Sequence, residues 1–227
     1  MYPKNPDIIV IKNQFYPNGL TEKNIYNYYM MVKRELLSQV KDRELLFYIA
    51  TNLNNSILRR YESPNNKYKL NEKNYESLIT GRTISIHSIR KEEENFGIID
   101  IDYEDFDKAK VLTLDVFNFL SKLPQIKNVE IRFTGKTSFH VIPYFFRKIP
   151  TAQIYDYLYD NFKNSKFSDF CDIKSKRRLG IPNLDLYRNK SGAGFITLYS
   201  LSILGLKCMS ISEKEILNFK KENAKIE

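Results

Sequence analysis

Between Phe96 and Tyr103 the chain reads Phe-Gly-Ile-Ile-Asp-Ile-Asp-Tyr, an apolar run that contains two aspartates separated by one isoleucine. A strand alternates its side chains, so Asp100 and Asp102 share one face, about 6.6 Å apart at roughly 3.3 Å per residue, while Ile99 and Ile101 take the other. The isoleucine face must be covered by core, and the acidic face must meet either water or a cation. Two ionised carboxylates side by side repel and are driven toward protonation unless a cation neutralises them, and such hard oxygen ligands suit Mg²⁺ or Mn²⁺. The plainer alternative is a strand end bearing two solvated aspartates.

The rest of the chain supplies regular elements to carry such a strand. Thr21 can cap a helix whose Ile25, Tyr28, Tyr29, Val32, Leu36 and Val40 recur at three- and four-residue spacing. Leu45 to Ala50 and Ser56 to Tyr61 read as a hairpin turned by Asn52, Asn54 and Asn55, followed by a polar loop from Glu62 to Asn74. Thr83 to Ile89 alternates as a half-buried strand. A helix is expected over Asp105 to Leu123, then strands over Val129 to Phe133 and Phe139 to Phe145, then a short helix capped by Thr151 and running through Phe162. Leu184 to Tyr187 and Phe195 to Ser200 are expected to pair as a hairpin, and Ser212 with Glu215 forms a capping box for a last helix. The expected class is α/β (α+β), with an N-terminal lobe over residues 1–82 and a catalytic lobe over 83–227 forming one core.

Composition bounds the function classes. The 227 residues, 42% hydrophobic, suffice for a sizeable core, and 36 Lys and Arg against 27 acidic residues give a charge of +9 that favours polyanionic partners. No apolar run is long enough to span a bilayer, and no export signal opens the chain, so a cytoplasmic protein with no membrane partner is expected. Cys171 and Cys208 stand apart with no metal-ligand spacing, which predicts reduced, packed thiols and no zinc site.

Two further segments carry chemistry. In Glu130 to Val141 a turn, Thr134-Gly135-Lys136-Thr137-Ser138, joins two strands, and alternation puts Ser138 and His140 on one face. Hydroxyl, imidazole, backbone N–H groups and the Lys136 charge can meet a triphosphate there, although a lone strand histidine is often structural. Asp185, between Leu184 and Leu186, is either a polar edge-strand residue or a third carboxylate, which would complete a two-metal clamp.

Asp-x-Asp, then Ser-x-His, then a single strand Asp, in this order, resembles the motif set of the archaeo-eukaryotic primase superfamily. Phe15 to Lys23 with Tyr28-Tyr29, Lys41-Asp42-Arg43, Ser85-Ile86-His87-Ser88, Asp185 to Asn189 and Tyr199-Ser200 resemble the polymerase domain of bacterial end-joining DNA ligases, across nearly the whole chain. CRISPR-associated primase-polymerases have similar cores. The resemblance implies a two-lobed catalytic core with mixed and antiparallel sheets flanked by helices. It also implies templated addition of nucleoside triphosphates on single-stranded or primer-template DNA, in replication or repair, with two Mn²⁺ or Mg²⁺ ions. Carried over by motif, Asp100 and Asp102 would bind both metals and Asp185 would help bind one. His140, Ser138, Thr134 and His87 would line the triphosphate.

The sequence departs from the pattern in three places. Lys136 sits one position before the usual lysine, where Thr137 stands. Ser202 replaces an arginine, whose phosphate contact is either missing or supplied by Arg188, Arg132 or Lys190. Of the lysine pair that grips a downstream 5′-phosphate, Lys23 is kept but Asn13 stands at the other place, beside Lys12. The expected activity is that of a primase-polymerase, with gap filling in end joining as the alternative role. From other classes, a two-metal nuclease also needs clustered carboxylates. A non-catalytic nucleic-acid binder would use Lys174, Lys176, Arg177 and Arg178, which read otherwise as a solvated basic loop.

Overall fold

The computed structural model describes residues 3, 5–59, 61–63, 66–103, 105–168 and 194–226. These form two compact units, one from the described residues of Met1–Ile89, Gly194–Met209 and Lys220–Glu227, the other from those of Arg90–Ala193 and Ser210–Phe219. The boundary therefore falls after Ile89 and not near residue 82. The physical reason is strand pairing: the segment Thr83–Ile89 hydrogen-bonds into the sheet of the first unit, and so does Gly194–Ile196.

In the first unit, β1 (Ile9–Asn13) and β2 (Tyr16–Thr21) form a ribbon that leads into α1 (Glu22–Met31). Thr21 caps α1 as the sequence predicts, and the Asn24 side chain answers back to complete a capping box. The single helix expected through Val40 is broken at Val32, so that α2 (Lys33–Val40) follows as a separate element. Next come the hairpin β3 (Leu45–Asn52) and β4 (Asn55–Arg59), turned by Asn54 in the left-handed region (φ 58°). The loop expected over 62–74 contains the short ribbon β5 (Tyr61–Ser63) and β6 (Asn66–Lys67). A one-turn helix, α3 (Tyr75–Leu78), leads into β7 (Thr83–Ile89), whose bounds match those read from alternation. With β12 (Gly194–Ile196), the main sheet runs β12-β7-β3-β4.

Tyrosine hydroxyls fasten this unit together. Tyr29, fully buried, donates to the Ile84 carbonyl (3.1 Å) and accepts from Leu201 N–H (3.1 Å), while Tyr75 donates to the Tyr29 carbonyl (2.6 Å). Tyr16 likewise joins the Gly205 carbonyl and Ile226 N–H, and Tyr28 donates to the Tyr199 carbonyl. Cys208 is buried and free, as expected for a packed thiol; Cys171 lies outside the described residues.

The second unit is a sheet of β8 (Glu93–Phe96), β9 (Ile99–Ile101), β10 (Ile126–Phe133), β11 (Phe139–Pro150) and β13 (Met209–Ile211), ordered β13-β10-β11-β8, with β9 also on β11. Helices α4 (Phe106–Leu120) and α5 (Thr151–Lys163) complete it. The strand expected over 96–103 is divided into β8 and β9, although both pieces keep one register on β11 (Phe96 with Tyr144, Ile99 with Val141): Gly97 N–H donates to the Pro143 carbonyl (3.0 Å), but Pro143 has no N–H to return. Glycine stands at 97 because a Cβ there would lie 2.7 Å from Leu158 and 3.1 Å from Ile154 of α5. Phe106, Phe133, Phe139 and Phe219 form one aromatic cluster between α4 and the sheet, with the Phe106 and Phe139 rings stacked at 5.3 Å.

Two capping expectations are corrected. Pro150 occupies the α5 cap position, and the Thr151 hydroxyl donates to the Lys91 carbonyl (2.8 Å). Ser212 does bond Glu215 (2.6 Å), but the chain beyond this pair forms only the 3₁₀ turns Ile216–Asn218 and Lys221–Ala224 in place of a helix. Buried Ile216 and Phe219 anchor this stretch at a spacing that a tight turn satisfies. The strand expected over 184–187 lies outside the described residues.

Replacing Tyr29 by Phe leaves the Ile84 carbonyl and Leu201 N–H buried without their partner, so urea unfolding should report a loss of about 2 kcal/mol. An unchanged urea midpoint would show that the hydroxyl fastens nothing.

Candidate active site

The alternation of β11 decides which side chains meet. Phe139 and Val141 turn toward the buried aromatic side, so His140 takes the opposite face, where its register partners are Asp100 on β9 and Arg132 on β10. Asp100 Oδ1 lies 3.7 Å from His140 Nε2, an ion-pair distance when the imidazole is protonated. The Asp100 side chain keeps 19% exposure, yet its Oδ1 is covered and has no hydrogen-bond partner among the described residues. Burial first, and the Asp102 charge second, push the Asp100 carboxyl up to about 7.

Asp102 follows β9 and is exposed, and the Thr137 hydroxyl donates to its Oδ1 at 3.4 Å. Thr137 belongs to the turn between β10 and β11, which is tightly built. Thr134 N–H and hydroxyl both donate to the Ser138 carbonyl (3.1 and 2.9 Å), the Thr134 and Ser138 hydroxyls lie 2.7 Å apart, and Gly135 takes φ 90°. Lys136 is exposed on this turn. Thus Asp100, Asp102, His140, Ser138, Thr134, Thr137 and Lys136 converge at one end of the β9-β11-β10 ladder.

Among the described residues no group of three or more His, Cys, Asp or Glu side chains gathers as a metal cluster. Asp185, the third expected carboxylate, lies outside the described residues, as do Arg188, Lys190, Lys174, Lys176, Arg177 and Arg178. The donor set present still fits a hard divalent cation. A covered carboxylate oxygen with no hydrogen-bond donor, beside a second carboxylate, is an arrangement that a cation stabilises and an apolar core does not.

Arg132 has another occupation. Its Nε and Nη2 bond the two Glu130 oxygens (2.9 and 2.7 Å), Nη2 also reaches Tyr144 (3.0 Å), and Ser210 of β13 donates to the same carboxylate. Burial alone would raise the Glu130 carboxyl, but these donors hold it below its usual range. The sequence reading did not identify this network; the signal available was that positions 130, 132 and 140 share a face.

His87 lies in the first unit on β7, between Leu46 and Ile196 in register, with the Tyr48 ring 5.2 Å from its own. Burial pushes its imidazole down to about 4, so it is neutral at physiological pH. Lys12 on β1 and Lys23 in the first turn of α1 are both exposed. Asn13 is held in a turn, its Oδ1 accepting from Phe15 and Tyr16 N–H and its Nδ2 donating to the Leu204 carbonyl. Ser202 likewise closes a tight turn, accepting from Leu204 N–H.

No protein-family model matches the sequence, and no curated protein matches it either. Among solved structures, the chain is similar to the polymerase domain from Mycobacterium tuberculosis Ligase D, which was solved in complex with DNA. The TM-score is 0.74 at 12% identity, over 97% of this chain and 90% of that one. The chain has the fold of that polymerase domain, as the order of its motifs led the sequence reading to expect.

Proposed function

We propose that this protein is a template-dependent nucleotidyltransferase, a primase-polymerase that adds nucleotides to a primer and also starts strands from two nucleotides. The observation that carries this reading is the covered Asp100 oxygen that lacks a hydrogen bond, beside Asp102, in a chain with the fold of a polymerase domain that was solved with DNA. Asp100 and Asp102, with Asp185, would hold Mn²⁺ or Mg²⁺, which when bound polarises phosphoryl oxygens and lowers the pKa of an attacking hydroxyl. His140 lies beside Asp100 and would donate to an incoming triphosphate from the same face. The turn at 134–138 offers hydroxyls and the Lys136 charge to the phosphates, and Thr137 orients Asp102. His87, neutral, would contribute a hydrogen bond and no charge.

The position of Asn13 favours priming over end joining. Its side chain already serves three backbone partners, so it does not replace a phosphate-gripping lysine; Lys12 and Lys23 are exposed, as is Lys225, whose Nζ lies 5.5 Å from the Tyr16 ring. DNA, primed or single-stranded, is the proposed partner.

Asp100→Ala and Asp102→Ala should each reduce nucleotide addition roughly a thousand-fold or more while oligonucleotide binding survives. Labelled triphosphate with Mn²⁺ and single-stranded template, with and without primer, measures this; substantial extension by either variant would sink the site. Degradation of the labelled strand in place of extension would indicate a nuclease.

Charge burial at Asp100 has a measurable sign. The folded carboxyl titrates near 7 against 3.8 for an ordinary aspartate, so the metal-free fold loses stability as pH rises between those values. Metal-free Asp100→Asn should therefore melt higher than wild type at pH 8, by about 2–4 °C per kcal/mol recovered. Unlike wild type, it should gain nothing from Mn²⁺. An Mn²⁺-dependent rise of equal size in both proteins would place the cation elsewhere.

Affinity for gapped DNA should be similar with and without a downstream 5′-phosphate. A strong preference for the phosphate, lost in Lys23→Ala and joined to absent unprimed synthesis, would instead assign gap filling.

A further inference from the structure

The ladder of the second unit is regular near Asp100 and breaks at its other end. Tyr144 pairs with Phe96 and Ile149 with Glu94, so the four residues 145–148 of β11 stand opposite the single residue Asn95 of β8. On the other side Ile126 pairs with Phe145 and Asn128 with Tyr144, so Lys127 of β10 is also an extra residue. Two bulges at the same level of a sheet are a built feature, since a bulge re-aims side chains at the expense of ladder hydrogen bonds.

What the bulges present is specific. Phe145 turns inward, 5% exposed, with its ring 5.8 Å from that of Tyr157 on α5. Phe146 turns outward and is 69% exposed, and Arg147 and Lys148 that follow it are exposed, as is Lys127 of the β10 bulge. A single exposed aromatic is ordinary on a protein surface. An exposed phenyl ring on a bulge, with three exposed cations beside it in the sequence and on the neighbouring strand, is an arrangement that offers a flat apolar face together with phosphate contacts. Glu93, an exposed acid of β8, pairs in register with Pro150, two residues beyond Lys148.

We propose that the Phe146–Arg147–Lys148 bulge, with Lys127, is a stacking site for a single-stranded nucleic acid. An unpaired base lies on the Phe146 ring and its backbone phosphates meet the cations. Stacking of this kind needs an unpaired base, because in a duplex both faces of each base are covered by neighbours, and it tolerates any sequence because every base has a π-face. The bulge lies six residues from His140 on β11, about 20 Å along the strand. The inference deepens the proposed polymerase reading by naming where the template strand is held, upstream or downstream of the carboxylates.

The chain contains no tryptophan, so Phe146→Trp creates a sole tryptophan fluorophore at the site. Titration with a dT oligonucleotide should quench its emission. Anisotropy of a dye-labelled dT strand should show roughly ten-fold weaker binding for Phe146→Ala and near wild-type binding for Phe146→Tyr, with duplex of the same length unaffected. Arg147→Ala/Lys148→Ala should lower the salt slope of log affinity by about 0.7 per lost contact. Unquenched Phe146→Trp emission with wild-type affinity in Phe146→Ala would overturn the site even where nucleotide addition is intact. Quenching without nucleotide addition would leave the site standing and remove the polymerase reading. Wild-type self-association abolished by Phe146→Ala, with unchanged oligonucleotide affinity, would assign the patch to a second copy of the chain and also overturn the proposal.

Discussion

Three residues of pairing between β9 and β11 govern the chemistry of the second unit. Phe139, His140 and Val141 stand opposite Ile101, Asp100 and Ile99, so the register that buries two isoleucines and a phenylalanine is the same register that brings a carboxylate to an imidazole. A slip by one residue would reverse every side chain, placing Asp100 against the aromatic cluster and Ile101 beside the exposed turn. The apolar cost of that slip is large, since Ile99, Ile101 and Phe139 are all fully buried. The position of the acidic pair is therefore enforced by the hydrophobic side of the sheet, whatever the acidic side binds.

Enforcement from one side permits an unfavourable arrangement on the other. Asp100 is partly desolvated, lies near a second carboxylate and has an oxygen with no donor, conditions that raise its pKa and that a folding optimum would avoid. The Glu130 carboxylate on the same sheet is the instructive contrast. It too is partly buried, but Arg132, Tyr144 and Ser210 satisfy it and hold its pKa down. Two acids on one sheet, one fully answered and one left short of donors, divide the face into a structural part and a part suited to an external cation.

The legibility of the sequence has the same division. Strong local patterns were readable: Thr83–Ile89 was bounded by alternation alone, Asn54 marked its hairpin, and Ser138, His140 and the Asp pair fell on the faces that period two assigns. What local pattern could not supply were decisions made by distant residues. The acidic strand is divided where Gly97 meets Pro143 of β11, which has no N–H to complete the ladder. Val32 separates α1 from α2 although the three- and four-residue spacing continues across it. Strand order was hidden for the same reason: Thr83–Ile89 looked like the start of a second lobe, and only its pairing with β3 and β12 assigns it to the first. Asp185, the one expected carboxylate that would complete the set, falls outside the described residues, so its place was read from sequence alone.

The departures from the polymerase-domain motif have local explanations. Asn13 and Ser202 each replace a cation expected from the resemblance, and each has its side chain engaged by backbone groups of a tight turn. A lysine or arginine at either place would have no oxygen to accept those N–H donors, and orphaned donors in a part-buried turn are costly. The two positions are linked through Leu204, whose carbonyl accepts from Asn13 and whose N–H donates to Ser202. Asn13 and Ser202, at the places of two different cations in the resemblance, are thus tied to each other through Leu204, although Asn13 is also held by its own turn at Phe15 and Tyr16. Because both side chains bond the same residue, a change at either position alters the support of the other, and their effects on stability are not expected to add.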